Sequence, residues 1–400
     1  MMRAFMVFCF LVAFAFASTA QEKLGGRLRQ VLERTSPDAT VVLWVFFADK
    51  GEYESRAASV PTTLVSERSL RRRAKVRESH ALVDYSDLPV SRRYLEALSH
   101  RVLRIRQQSK WFNAASVVAT KQQITAIASL PFVRSLEVVA RFPKDRTMEE
   151  AKGAASPPRR EPLSPRAPHV LDYGPCFDQL NQIAVPAVHN AGYDGSGVYV
   201  GVFDNGFRLL THEVFDSMTI HATYDFVDHK VSVVPNNLSP AFGSHGVNTL
   251  SVIGGFKSGQ LIGPAYKATY ILARTENDSS ETPIEEDNWV AAIEWADSIG
   301  VDVTSTSLGY LTYDPPYPSW TWQDMNGNAT LITRAADAAV ARGIVVVNSA
   351  GNNGFNASHN RLNAPADGDS VLSIGAVDAG GIRSSFSSVG PTTSTPAHQA

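Results

Sequence analysis

The chain has 400 residues, 44% of them hydrophobic, with 37 basic and 39 acidic side chains and a net charge of −2. That length and balance fit a globular protein of about two domains, and they exclude a charge-swollen disordered chain and a uniformly basic nucleic-acid binder. The small total hides an uneven split: residues 21–170 hold 27 basic and 16 acidic side chains, whereas 171–400 hold 9 and 23. The basic charges of the first half are scattered without the interleaved aromatics that base stacking needs, so no nucleic-acid partner is expected. Electrostatic attraction between the two halves is the preferred reading.

Residues 1–20 read as a secretory signal peptide. Arg3 supplies the charge, residues 6–16 the apolar core, and Ser18, Thr19 and Ala20 the small-residue cleavage site. The apolar run is too short to span a bilayer, and no later run qualifies. A secreted protein, extracellular or periplasmic and without a membrane span once the signal is removed, is expected. Cys9 leaves with the signal, so Cys176 has no disulfide partner in the chain.

In the first half, apolar runs predict strands at residues 41–47, 102–106, 114–119 and 133–139, and helical spacing predicts helices at 91–99 and 121–129. The order β-α-β-β-α-β is that of the ferredoxin-like split motif. An insertion at 51–89 carries a basic segment, 66–77, read as a solvated helix, with a processing site as the second reading. Five prolines crowd 151–170, which reads as an extended linker and a candidate maturation site.

From residue 171 strands and helices alternate. Strands are predicted at 198–202, 267–273, 301–307, 344–348 and 371–377, and helices at 181–191, 288–299 and 329–342. Such alternation argues an α/β fold with a parallel sheet. The strand at 198–202 is apolar or glycine throughout and ends at Asp204, before the Asn205-Gly206 turn. Carboxyl ends of strands are where open α/β sheets place their chemistry. His245 sits on a glycine-flanked turn, between Ser244 and Gly246, at the start of a helical pattern. The strand at 344–348 runs into Ala350, Gly351 and Asn352. Gly195 and Gly197 precede a strand where a dinucleotide loop would follow one, so no cofactor is read from them.

Taken in order, these stretches resemble the subtilisin-like serine peptidases, or subtilases. Asp204 matches the family's aspartate motif, His245 its histidine motif, and Ala350-Gly351-Asn352 its oxyanion-asparagine motif. Residues 301–309 look like its substrate-binding edge strand, and Ser384 to Pro391 like its later Phe-Ser-Ser-x-Gly turn. Asn205 stands where Ser or Thr is usual, and Val247 where Thr is usual. The resemblance implies a subtilisin-like parallel β-sheet flanked by helices (residues 171–400), preceded by a ferredoxin-like α+β propeptide domain (21–150). It implies a serine endopeptidase made as a zymogen, with polypeptide substrates and its own propeptide as partners. Asp204, His245 and Asn352 are the implied catalytic residues. Ser307, Leu308 and Gly309 would pair with substrate as an added strand, and Ala350 and Gly351 would wall the first specificity pocket. No metal cluster is read from the sequence; structural calcium is the one cofactor the family suggests, with no ligands assignable.

One piece is absent. The family's nucleophile lies in a Gly-Thr-Ser motif beyond the Phe-Ser-Ser turn, and residues 1–400 contain no such motif. Ser394 lacks the preceding glycine and is set aside. The expectation is a chain that stops before its nucleophile and is inactive as it stands. A non-catalytic, peptide-binding relative is the alternative, and a chance match on an unrelated α/β binding protein the third reading.

Overall fold

A computed structural model describes residues 20–139, 169–237, 239, 241–314 and 319–393. The signal segment before Ala20, most of the proline-rich linker and Ser394 lie outside these residues. The chain forms two compact units, one from residues up to 66 and from 77 to 140, the other from 67–76 and from 141 onward.

In the first unit, helix α1 (Gly26–Arg34) buries Leu28 and Leu32, four residues apart and therefore on one face. Its apolar positions are few, and the sequence reading passed over it. Strand β1 (Thr40–Phe47) follows from the apolar run TVVLWVFF. The chain then departs into helix α2 (Glu67–Arg73), which belongs to the second unit. On its return, Ser91 caps helix α3 (Arg92–Ser99) by accepting the Tyr94 N–H at 3.3 Å. Strands β2 (Arg104–Ser109) and β3 (Ala114–Thr120) come next. Helix α4 (Lys121–Ala128) opens with a capping box: Thr120 Oγ1 accepts the Gln123 N–H at 3.3 Å and Gln123 Oε1 accepts the Thr120 N–H at 2.9 Å. Strand β4 (Val133–Val138) completes an antiparallel sheet in the order β2-β3-β1-β4. Alternate residues of β1 (Leu43, Val45, Phe47) meet Leu28, Leu98, Ile124 and Ile127 in one core. This is the ferredoxin-like α+β arrangement read from the sequence.

The second unit begins with α5 (Phe177–Gln182) and α6 (Val185–Asn190). The single helix expected at 181–191 is wrong: Ala184 takes a left-handed conformation, φ 60°, and breaks it. Then follow β5 (Tyr199–Asp204), β6 (Thr219–Asp225), α7 (Ser244–Gly254), the β7 (Phe256–Lys257) and β8 (Leu261–Ile262) hairpin, and β9 (Thr269–Arg274). Helix α8 (Ile284–Ile299), β10 (Val303–Thr306), α9 (Leu331–Val340), β11 (Val345–Ser349) and β12 (Leu372–Ile374) complete it. The six-stranded sheet runs β12-β11-β10-β5-β9-β6, parallel throughout. Val200, Val202, Tyr270 and Leu272 face Val247 and Leu250 of α7. On the other face Phe203 meets Trp289 of α8 edge-on, ring centroids 5.9 Å apart. Truncating either ring costs about 3–5 kcal/mol.

Two expectations are corrected here. Strand β10 is not an edge strand, because β5 and β11 flank it; only its continuation, Ser307 to Gly309, leaves the ladder. Helix α2 is not a solvated basic helix. Arg72 and Arg73 are 2% and 0% exposed, because carboxylates and carbonyl groups of the second unit surround them. Among the described residues no helix is long and apolar enough to cross a membrane.

Candidate active site

Parallel strands bring their carboxyl ends to one edge of the sheet, and the residues singled out in the sequence gather there. Asp204 ends β5 and is fully buried. Its Oδ1 accepts the Asn205 N–H at 2.8 Å and lies 2.7 Å from His245 Nδ1; its Oδ2 accepts the Thr249 hydroxyl at 3.0 Å. His245 is the second residue of α7, and its side chain stays half exposed. Thr249 lies one turn further along α7, on the same face, so the helix that carries the imidazole also supplies the second donor to its carboxylate.

Close backbone packing fixes this pair. A Cβ on Gly246 would lie 2.3 Å from the Gly206 carbonyl and 3.0 Å from Asp204 Cβ, so only glycine lets α7 approach the aspartate turn. The Pro235 ring fits between that turn and the histidine turn: a Cβ on Gly206 would come within 2.8 Å of it, and one on Gly243 within 2.9 Å. Both glycines also have positive φ, 125° and 74°.

Asn205, the departure from the usual Ser or Thr, joins the two turns. Its Oδ1 accepts the Gly246 N–H at 2.9 Å, and its Nδ2 donates to Asp278 Oδ1 at 2.6 Å. Asp278 Oδ2 in turn accepts the Gly243 N–H at 3.1 Å. Burial pushes the Asp278 carboxyl above the usual range, against the pull of these donors. Arg274, at the end of β9, donates to the Asn205 carbonyl at 3.1 Å and pairs with Asp225 and Asp228 at 2.9 and 2.7 Å. The sequence reading missed Thr249, Asp278 and Arg274. Only Thr249 left a signal, the spacing of four from His245.

At the end of β11, Ala350 donates to the Ile374 carbonyl at 2.9 Å and Gly351 takes φ 111°. Asn352 follows, exposed at the same edge of the sheet. The Phe-Ser-Ser turn buttresses it: Ser388 donates its N–H to the Gly351 carbonyl at 2.9 Å and accepts the Asn353 N–H on its hydroxyl at 3.0 Å. Beyond β10, the Leu308 carbonyl is taken by Asn348 and Ser349, at 2.9 and 3.2 Å. The Ser307 carbonyl and the Gly309 N–H take no partner among the described residues. The fold thus sets Asp204 and His245 in contact. Topology places Ser307 to Gly309 and Ala350 to Asn352 on the same edge, one and two strands over.

A cluster of acids follows β9. Carboxylate oxygens of Glu276, Glu281 and Glu285 lie within 4.8 Å of one another, close enough to hold a cation, which the sequence reading did not foresee. Burial, then the neighbouring Glu276, holds the Glu285 carboxyl well above the usual range, so a shared proton fits the trio equally well. Glu276 accepts the Tyr310 hydroxyl. Glu286 accepts the Tyr313 hydroxyl and, at 2.7 Å, the Trp320 indole, and burial pushes it up to about 7.

Comparison with known proteins finds similarity over both halves of the chain. Residues 42–154 match the model of a peptidase S8 propeptide domain from Bacteroidota. Subtilisin NAT of Bacillus subtilis subsp. natto is 26% identical over 296 residues, which are 74% of this chain and 64% of that protein. Subtilisin DY of Bacillus licheniformis is 32% identical over 208 residues, 52% of this chain and 66% of that protein. The chain therefore spans just under two thirds of these relatives. A solved structure, MycP1 with its N-terminal propeptide removed, is 21% identical with a TM-score of 0.42, covering 54% of this chain and 67% of that one. Residues 195–399, more than half of the chain, match the Subtilase family model, and the chain belongs to that family.

Proposed function

We propose that the chain is the precursor of an exported serine-type endopeptidase. The 2.7 Å contact between Asp204 and His245 Nδ1, at the carboxyl edge of the sheet, carries the reading. Asp204 holds the imidazole in one tautomer and stabilises the imidazolium. With Nδ1 engaged, His245 Nε2 is the nitrogen that takes the proton of a serine hydroxyl and returns it to the leaving amine. Asn352 donates its side-chain amide to the oxyanion that develops on the scissile carbonyl. The unpartnered Ser307 carbonyl and Gly309 N–H receive an extended polypeptide substrate by strand addition, and Ala350 and Gly351 wall the pocket for its first side chain. The propeptide domain is a second partner in the same molecule. The serine of this triad belongs to a Gly-Thr-Ser segment, which residues 1–400 do not contain.

The test compares the 400-residue chain with one that carries a Gly-Thr-Ser segment beyond Pro391. The first is expected to leave casein intact and to stay unlabelled by a serine-directed phosphonate; the second is expected to cleave and to label at that serine. Labelling of the shorter chain at Ser394, abolished by Ser394→Ala, overturns the assignment of the nucleophile. Failure of the longer chain to label or cleave favours the non-catalytic, peptide-binding relative.

A further inference from the structure

Helix α2 lies across the carboxyl-terminal ends of α8 and α9, within the second unit. Helix α8 stops at Gly300, φ 106°, and the turn that follows α9 carries Gly343, φ 85°. A Cβ on Gly300 would come within 2.8 Å of Arg68 Cβ and of the Ser69 N, and one on Gly343 within 3.1 Å of the Arg72 carbonyl. The two stops are therefore shaped to the α2 backbone. Three arginines meet the groups that these ends expose. Arg68 donates to the Gly300 carbonyl at 3.1 Å and the Gly197 carbonyl at 2.7 Å, pairs with Asp302, and lies 3.8 Å over the Tyr199 ring. Arg72 donates to the Arg342 carbonyl at 3.0 Å and the Val301 carbonyl at 2.6 Å, and pairs with Asp297. Arg73 reaches the other oxygen of Asp297 at 2.5 Å.

The chemistry is specific. Helix carboxyl ends carry unsatisfied carbonyls and partial negative charge, and cations are favoured there. A guanidinium presents five donors in a planar fork, so it can satisfy a carboxylate and two carbonyls together, where an ammonium cannot reach them all. Asp297 is fully buried and is shared by two guanidinium groups. Such a buried group loses heavily when one partner is removed. Arg71, on the outer side of the same helix, is 70% exposed and among the described residues meets only Glu67, at 3.6 Å.

We propose that Asp297, Asp302 and the carbonyl ends of α8 and α9 form an arginine socket in the peptidase unit, with α2 as the plug that keeps the pro-region attached after the linker is cut. The proposal rests on the reading of the chain as a peptidase with a propeptide. It adds to that reading an attachment point far from the catalytic edge, at the opposite ends of the strands. Because α2 lies inside the propeptide-type stretch 42–154 while folding with the second unit, cutting near residue 155 leaves the two pieces joined through this socket.

The experiment uses the whole 400-residue chain with a site for a specific protease built into the proline-rich segment near residue 155. After nicking, size-exclusion chromatography and the dissociation rate are read at 0.15 M and 1 M salt. The nicked wild-type chain is expected to elute as one species at both, since buried pairs are little screened. Arg72→Ala with Arg73→Ala is expected to speed dissociation at least about 100-fold, and Arg71→Ala to leave it unchanged. Dissociation of the double variant at the wild-type rate overturns the proposal, as does loosening by Arg71→Ala to the same degree. Should the double variant not fold, Arg68→Ala is read in the same way, with about tenfold faster release expected and an unchanged rate refuting the socket. A chain bearing a Gly-Thr-Ser segment that stays inert to phosphonate, yet separates only when the arginines are removed, would sink the peptidase reading and leave the socket standing.

Discussion

Glu286→Gln offers a quantitative test of the buried acids beside the candidate catalytic edge. Burial raises the Glu286 carboxyl from 4.5 to about 7, with Asp287 and Asp367 adding to the effect and the Tyr313 and Trp320 donors opposing it. An acid whose folded pKa lies above its unfolded value is favoured in its protonated form. Its contribution is complete below pH 4.5 and is lost as the pH climbs through 7. The gap corresponds to about 3 kcal/mol at roughly 1.4 kcal/mol per tenfold. Glutamine keeps a carbonyl oxygen for the Tyr313 and Trp320 donors, which share Oε1 of the glutamate, and removes the titration. Thermal unfolding of wild type and variant at pH 4 and pH 8 isolates the residue, because other titrating groups cancel in the difference. The variant is expected to match the wild type at pH 4 and to exceed it by roughly 5–10 °C at pH 8. An equal difference at the two pH values would refute the reasoning.

Further expectations concern a chain that carries the Gly-Thr-Ser segment. Asp204→Asn should lower kcat by about 10⁴ with little change in KM, read with a chromogenic peptide; activity within tenfold of wild type would exclude the triad. Asn352→Ala should lower kcat by roughly 10²–10³, a magnitude known for the oxyanion asparagine of a subtilisin rather than worked from this chain. Gly246→Ala forces a Cβ to 2.3 Å from the Gly206 carbonyl, so it should cost about 1–3 kcal/mol in urea unfolding and lower kcat as α7 is pushed off Asp204. Asn205→Ala should leave labelling possible but slow it, and Asn205→Ser should restore part of the rate, because it retains an acceptor for the Gly246 N–H.

Much of the fold was legible because burial leaves a local signature. The run before Asp204 is apolar on both faces, and strand β5 is covered by α7 on one and α8 on the other. The apolar run TVVLWVFF marks β1 in the same way. Elements without such a signature were lost. Strand β6 (TIHATYD) has no continuous apolar run, and helix α1 (GRLRQVLER) is short, with few apolar residues. The break at Ala184 follows from one left-handed residue that carries no glycine to announce it. At the site, Asp204 and His245 could be paired from their motifs, whereas Asp278 sits in a loop with no pattern of its own. Its meaning comes from the two turns it reaches. The basic segment misled for the same reason: nothing near Arg72 in the sequence shows that Asp297, 225 residues away, will be its partner.

The Pro235 ring, packed against both the aspartate and the histidine turn, has a consequence for how this candidate catalytic edge tolerates change. Its atoms occupy the space that side chains on Gly206 and Gly243 would need. A side chain at either glycine would therefore have to displace the same ring, whose shape covalent bonds fix. A change at Gly206, at Gly243 or at Pro235 therefore acts on the aspartate and histidine turns together.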